Sequence, residues 1–325
     1  MASGSRGFQP RGVGRRKPCR MRETADRFAP RLWNPRLRKK TMIQNVPGKL
    51  VEWQRLSLES CDVAAWWLGQ SGFLFRSDSD CLVIDPYLSD SLATKYRDRE
   101  FKHERMMPIP IQPGELQSLD FVLSTHKHTD HMDVGTLPEL LDANPRCRFV
   151  APRSARQHAL ETIGADEDRS VFVDAGDHIT LSSTLEIDVI AAAHEELQCD
   201  DDGRSLFLGY VFHLNGLQLY HSGDCVPYDG LVETLQRVDI DVAFLPVNGR
   251  DELRAAHGIP GNFHFEEAVD LCLQAGIRNL VPQHFGMFEF NTVNPEYLER
   301  KMGALPDGFN VIFPRIDQAL IIEGS

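Results

Sequence analysis

The chain has 325 residues, 42% of them apolar and 25% charged, a composition that excludes a low-complexity chain and fits one large globular domain or two small ones. No apolar run approaches the roughly 18 residues of a membrane-spanning helix, so no membrane span is expected. The formal net charge of −12 is uneven: residues 1–41 hold 13 Lys/Arg against 2 Asp/Glu, so the body that follows is strongly acidic and a poor match for nucleic acid.

Residues 1–41 are rich in Arg and Pro and lack hydrophobic periodicity. They read as a basic disordered tail, dispensable to the fold, although the same composition suits a transit peptide. The folded domain is placed at residues 42–325. Seven cysteines (Cys19, Cys61, Cys81, Cys147, Cys199, Cys225 and Cys272) stand at wide spacings with no C-x-x-C. That argues against a disulfide framework or a thiolate zinc site, and for a reducing compartment, the cytoplasm.

From residue 62 the chain reads as strands split by turns. Asp62–Leu68, Gly72–Arg76 and Cys81–Ile84 are three short strands separated by Gly-Gln-Ser-Gly and Ser-Asp-Ser-Asp. A long polar, Pro-rich connection follows at residues 87–115, carrying Lys95, Arg97, Arg99, Lys102, His103 and Arg105. Long connections of this kind are often functional. Phe121–Ser124 is an apolar strand running into a histidine cluster. Helices are expected at Val134–Asp142 and Ser154–Ile163, and strands at Phe149–Ala151, Val171–Val173 and Leu185–Ala192. Alternating apolar residues on both sides of Asn215-Gly216 mark a hairpin. Ile240–Val247 reads as a buried strand, Phe265–Ala275 as a helix capped by Gly276, and Leu280–Pro282 as a last strand. Strands followed by strands mixed with helices, twice over, fit two sheets covered outside by helices, a four-layer αββα sandwich.

The chemistry is concentrated in His126-Lys127-His128-Thr129-Asp130-His131. Two histidines two residues apart at a strand end share a face and can reach one metal ion. The polar turn after them lets Asp130 and His131 reach a second. Two ions need more ligands. His194, Asp224 and His284 are metal-binding types at the ends of apolar strands, and a carboxylate such as Asp224 can bridge two cations.

The order H-x-H-x-D-H, then His, then Asp in a Gly-Asp step, then His resembles the metallo-β-lactamase superfamily. More closely, the stretches AAWWLGQSGF (64–73), STHKHTDHMD (124–133), LYHSGDCVPY (219–228), VDIDVAFLPVNG (238–249) and VPQHFGMFEFN (281–291) resemble the L-ascorbate-6-phosphate lactonase branch. His194 departs from the lactonase and is usual in the wider superfamily, so the lactonase relation is one of fold and motif. The resemblance implies an αββα fold with two divalent metal ions, zinc or manganese, between the sheets. His126, His128 and His194 would form the first site, Asp130, His131 and His284 the second, with Asp224 bridging.

Other residues carry weaker signals. Asp85 ends a strand and is either a support for the metal loops or a turn residue. His221 is a candidate support for Asp224. His264 caps a helix or meets substrate, with capping favoured. His257, in a Gly-Pro-rich loop, is a candidate to line the groove. His158, His178 and His213 fit ordinary helix or strand patterns, Cys225 fits packing, and Trp66 and Trp67 fit the sandwich edge.

The resulting expectation is a metal-dependent hydrolase in which metal-activated hydroxide attacks the substrate and Asp130 orients it and shuttles a proton. The substrate is a small anionic lactone or ester, resembling a sugar phosphate and bound by the basic loop 87–115. A phosphodiesterase of the N-acylethanolamine phospholipase-D-like type is the alternative. A non-enzymatic metal-binding protein is the weakest reading, because all seven ligands are present. No organic cofactor is required, and a homo-oligomer is left open.

Overall fold

The computed structural model of the chain describes residues 41–324; the basic tail placed at residues 1–41 lies, except for Thr41, outside the described residues. Among the described residues fifteen strands form two sheets. In chain order the first seven are β1 (Met42–Pro47), β2 (Val63–Gly69), β3 (Gly72–Arg76), β4 (Cys81–Ile84), β5 (Phe121–Leu123), β6 (Arg148–Pro152) and β7 (Ser170–Val173). The next seven are β8 (His178–Thr180), β9 (Leu185–Ala191), β10 (Leu208–Leu214), β11 (Leu217–His221), β12 (Val242–Pro246), β13 (Asn279–Gln283) and β14 (Asn310–Val311). The last, β15 (Gln318–Glu323), returns to the first sheet, whose order is β1-β15-β2-β3-β4-β5-β6-β7; the second runs β14-β13-β12-β11-β10-β9-β8.

Both sheets are laid down the same way. Antiparallel hairpins come first (β2-β3-β4 and β8-β9-β10-β11), and parallel strands follow (β4 to β7 and β11 to β14). Asn215 (φ 51) and Gly216 (φ 80) make the tight turn from β10 to β11, as the sequence signal requires. The parallel register aligns Ile84 with Leu123 and Leu123 with Val150, and His221 with Phe244. The carboxyl ends of β4, β5 and β6 therefore share one rim, as do those of β11, β12 and β13.

The interior strands are buried on both faces, and the alternation shows which layer each residue serves. Val63, Ala65 and Trp67 of β2 pack between the sheets with Phe73, Phe75, Phe212 and Phe244. Ala64, Trp66 and Leu68 face outward, under a layer that includes Leu137, Leu140 and Leu141. The two tryptophans are thus buried on opposite faces of an interior strand and do not sit at the sandwich edge. On the other sheet Val242 and Phe244 point inward, while Ala243 and Leu245 pack outward against Leu235, Phe265 and Leu271.

The helices are α1 (Ser91–Lys95), α2 (Leu137–Ala143), α3 (Arg156–His158), α4 (Leu231–Val238), α5 (Glu252–Ala256), α6 (Phe265–Ala275) and α7 (Pro295–Met302). The expected helix from Val134 begins at Leu137, because residues before it form the turn off the histidine cluster. The helix expected at Ser154–Ile163 is one mixed helical stretch through α3, closed by Gly164 in the left-handed region (φ 76). Phe265–Ala275 is helical from end to end, and Gly276 (φ 75) caps it. Strands β1, β8, β14 and β15 and helices α1, α4, α5 and α7 have no counterpart among the expected elements. Helices on the outer face of each sheet complete the αββα sandwich. Among the described residues no helix is long and apolar enough to cross a membrane.

Candidate metal centre

All seven expected ligands come together on the shared rim. Strand β5 ends at Leu123, so His126 and His128 lie in a turn beyond it and not on a strand face. The turn still converges them: their ring centroids are 4.6 Å apart. It is closed by the amides of His131 and Met132 bonding the His128 carbonyl at 3.0 and 2.8 Å. His194 follows β9, Asp224 follows β11, and His284, with φ 59, follows β13.

The ligand atoms form three overlapping triads: His126, His128 and His194; His126, His131 and Asp224; and Asp130, His131 and His284, each set lying within 4.8 Å. Asp224 faces both ways. Its Oδ1 is 3.3 Å from Nε2 of His131 and 3.3 Å from Nε2 of His284, while Oδ2 is 3.7 Å from Nε2 of His194. Asp130 Oδ2 lies 3.5 Å from Nε2 of His284 and 3.7 Å from Nε2 of His131.

The donor set fits divalent cations. Nε2 of His126, Nε2 of His131 and Oδ1 of Asp224 are buried without a hydrogen-bond partner, a costly state for polar atoms unless something they bind supplies the contact. Electrostatics agree. Burial holds the His126 imidazole well below its usual pKa, lowers that of His128, and brings His194 down to about 4. Neutral imidazoles are what a cation takes as ligands. Burial also opposes charge on His131 and His284, but carboxylates outweigh it. Asp224, Asp85 and Asp130 raise His131 well above its usual value, and Asp224 with Asp130 raises His284 to about 9. Against burial, the same histidines hold Asp130 and Asp224 well below the usual carboxylate range.

Groups behind the ligands fix their orientation. Asp85 accepts a 2.7 Å bond from Nδ1 of His131, together with the Thr125 amide at 2.8 Å and its hydroxyl at 2.7 Å. It is also a left-handed turn residue (φ 46), so both roles weighed for it hold. His221 donates from Nε2 to the Ser71 carbonyl at 2.8 Å and accepts the Gly223 amide at Nδ1, 3.1 Å, which pins the Gly-Asp turn. Two contributors carried no sequence signal. Phe207 places its ring 5.0, 5.6 and 5.1 Å from those of His126, His128 and His194. Gln70, in what reads as a plain turn, reaches Asp130 at 2.9 Å.

Five of the seven ligands, His128, Asp130, His194, Asp224 and His284, line a cleft of about 1390 Å³. The loop 87–115 borders it, but only part of its basic cluster faces in: Lys95, Arg99 and His103 line the cleft, as do Lys127 and His158 from outside the loop. Arg97, Lys102 and Arg105 do not line it. Arg105 is turned inward, its guanidinium donating to the carbonyls of Tyr87 at 3.0 Å and Ser89 at 3.3 Å, over the Tyr87 ring. His158, which fits an ordinary helical pattern, stands at the cleft. His257 also lines it and meets the loop directly: Nε2 is 3.1 Å from Glu100, and the Phe101 ring lies edge-on at 4.9 Å. His264 is at the amino end of α6, its amide bonded to Glu267 at 2.8 Å. His178 and His213 both bond Asp188, away from the centre, and Cys225 is buried in the core of the second sheet.

Two stacked sheets under helices, with histidine-rich triads that meet at one carboxylate on their common rim, define a metal-binding protein. Residues 81–285 match the model of the beta-lactamase superfamily domain, and the chain belongs to this metallo-β-lactamase superfamily of metal-dependent hydrolases. Its relatives include a UPF0173 metal-dependent hydrolase of Myxococcus xanthus, 26% identical over 77% of this chain and 79% of the relative. N-acyl-phosphatidylethanolamine-hydrolyzing phospholipase D 1 of Caenorhabditis elegans is 24% identical over 80% of this chain and 76% of its own length. Among solved structures, isothiocyanate hydrolase from Delia radicum gut bacteria superposes with a TM-score of 0.62 at 18% identity, covering 80% of this chain and 100% of that one.

Proposed function

We propose that this protein hydrolyses a small anionic lactone or carboxylic ester, of the size and charge of a sugar phosphate, at a centre of two divalent ions, zinc or manganese. The observation that carries the reading is Asp224, whose two carboxylate oxygens face different triads. His126, His128 and His194 would hold one ion, Asp130, His131 and His284 the other, and Asp224 both. Bound there, the ions supply hydroxide at neutral pH and polarise the oxygen under attack. Asp130 lines the open cleft and its side chain is 17% exposed, so its carboxylate can take a proton and pass it to the leaving group. Lys95, Arg99 and Lys127 offer the cleft cations that suit phosphate or carboxylate oxygens, beside the carboxylates of Asp98, Glu100, Glu195 and Glu196. Among the described residues no carboxylate lies within ion-pair distance of Lys95 or Lys127; Lys95 donates to the Thr129 hydroxyl at 2.8 Å and stands 5.2 Å from the centre of the Tyr96 ring. The motif resemblance to the ascorbate-phosphate lactonase branch supports the same substrate class.

A phosphodiesterase is the second reading, favoured by the similarity to the worm phospholipase D along most of both chains. A panel of phosphorylated lactones, phosphodiesters and β-lactams, each with zinc and with manganese, separates the two. Turnover of lactones is expected. Turnover of phosphodiesters with inert lactones would decide for the second reading.

A further inference from the structure

Gln70 lies in the bend between β2 and β3, fully buried and in the left-handed region (φ 51). Its carbonyl oxygen accepts the His284 amide at 2.9 Å and the Trp67 indole N–H at 2.9 Å. Any residue tolerating that φ would make these backbone bonds. The side chain does something separate. Its amide nitrogen is 2.9 Å from Asp130 Oδ2 and 3.1 Å from Nε2 of His284, two of the three ligand atoms of the second triad. Its Oε1 is buried with no partner.

A buried amide with one unpaired end is less stable than an apolar side chain of the same volume. The cost is accounted for if the amide serves the second ion. The two ends of the amide exchange by a half-turn about the last side-chain bond, and their chemistry is opposite. The nitrogen end donates to a carboxylate when no cation is present. The oxygen end is a ligand for a hard cation, and a cation removes the repulsion between that oxygen and Asp130.

We propose that Gln70 is a further ligand of the second metal position, its Oε1 joining Asp130, His131, His284 and the shared Asp224. This rests on the dinuclear reading above. A fifth protein donor, and a third that offers oxygen, favours an ion of high coordination number that accepts oxygen, such as manganese, over tetrahedral zinc. The amide would thereby set which metal the second position prefers.

The test uses the full chain, with manganese and zinc titrated separately by calorimetry and bound manganese followed by electron paramagnetic resonance. In Gln70→Ala the first ion should bind as in the parent, while second-site manganese affinity falls about 10–100-fold, the range seen when groups that support a site are lost, and zinc falls less. Gln70→Glu, which restores an oxygen donor of the same length, should recover manganese binding. Gln70→Asn keeps the amide and suits φ 51 but retracts it by one methylene, so it should behave as Gln70→Ala; it serves if the alanine variant fails to fold. Parent-like binding of both ions by the alanine and asparagine variants would overturn the proposal, as would failure of the glutamate to recover binding. A parent chain that binds only one ion would instead remove the dinuclear reading itself.

Discussion

Nδ1 of His131 and Oδ2 of Asp85 are 2.7 Å apart in a fully buried pair, and that contact turns the other ring nitrogen of His131 toward Asp224. Asp85→Asn keeps the shape and tolerates the left-handed φ but loses the charge. Metal affinity at the second position should fall about 10–100-fold, as for other losses behind a metal ligand. Asp85→Ala should also cost about 3–5 kcal/mol of stability by leaving its partners unpaired in the interior. Chelator competition and thermal melts measure the two effects. Unchanged affinity in Asp85→Asn would show that the turn alone orients His131.

His128→Ala and Asp130→Asn should each lower kcat by several orders of magnitude, because hydroxide supply and proton transfer both fail. Both residues lie on a turn at the rim, so circular dichroism should match the parent. Activity within about tenfold of the parent in either variant would contradict these roles.

Replacing Lys95 and Lys127 together by Ala should raise KM for a phosphorylated substrate about tenfold, the size of one charge-assisted hydrogen bond, and leave an uncharged analogue unaffected. Arg105→Ala should instead lower the melting temperature, since its guanidinium serves the carbonyls of Tyr87 and Ser89. Equal KM effects on both substrates would remove the lysines from recognition.

The loop over the cleft is joined to α5 through Glu100 and His257. The bond to the Leu253 carbonyl raises the His257 pKa most; burial opposes it, and the Glu100 carboxylate adds to the rise. A raised pKa means the contact is fully present below the free histidine value and is lost as pH rises through the raised one. Loosening of the loop is therefore expected on the alkaline side. An NMR titration of His257 should show its pKa falling in Glu100→Gln; an unmoved pKa would leave the Leu253 carbonyl as the whole cause.

Gly223 sits at φ +60, and a Cβ there would lie 2.8 Å from the Leu208 carbonyl oxygen and 2.8 Å from Thr125. Gly223→Ala should displace Asp224 and lower the metal content of purified protein below that of the parent by elemental analysis. Full metal content would show that the turn can yield.

The ligands were legible because metal chemistry restricts residue type and the H-x-H-x-D-H run is local, with His194, Asp224 and His284 each marked by the apolar strand before it. Helices and hairpins with short-range signals were legible for the same reason. Gln70 was not, since its role depends on residues 60 and 214 positions away. Pairing of β1 with β15 joins residues as far apart as Gln44 and Glu323, which no local pattern announces. The basic loop shows the remaining gap: composition gives its charge, but only packing decides that Lys95 faces the cleft and Arg105 the carbonyls of its own loop.

The division of ligands between the sheets has a consequence for how the chain matures. His126, His128, Asp130 and His131 leave the first sheet, and His194, Asp224 and His284 leave the second. Neither half of the chain carries a complete triad for the first position or the second. On the proposed dinuclear reading, metal capture awaits the docking of both sheets, and bound ions would act as rivets along one edge of the sandwich. A chelator would then do more than silence the site: it would free that edge to open while the aromatic layer between the sheets still holds.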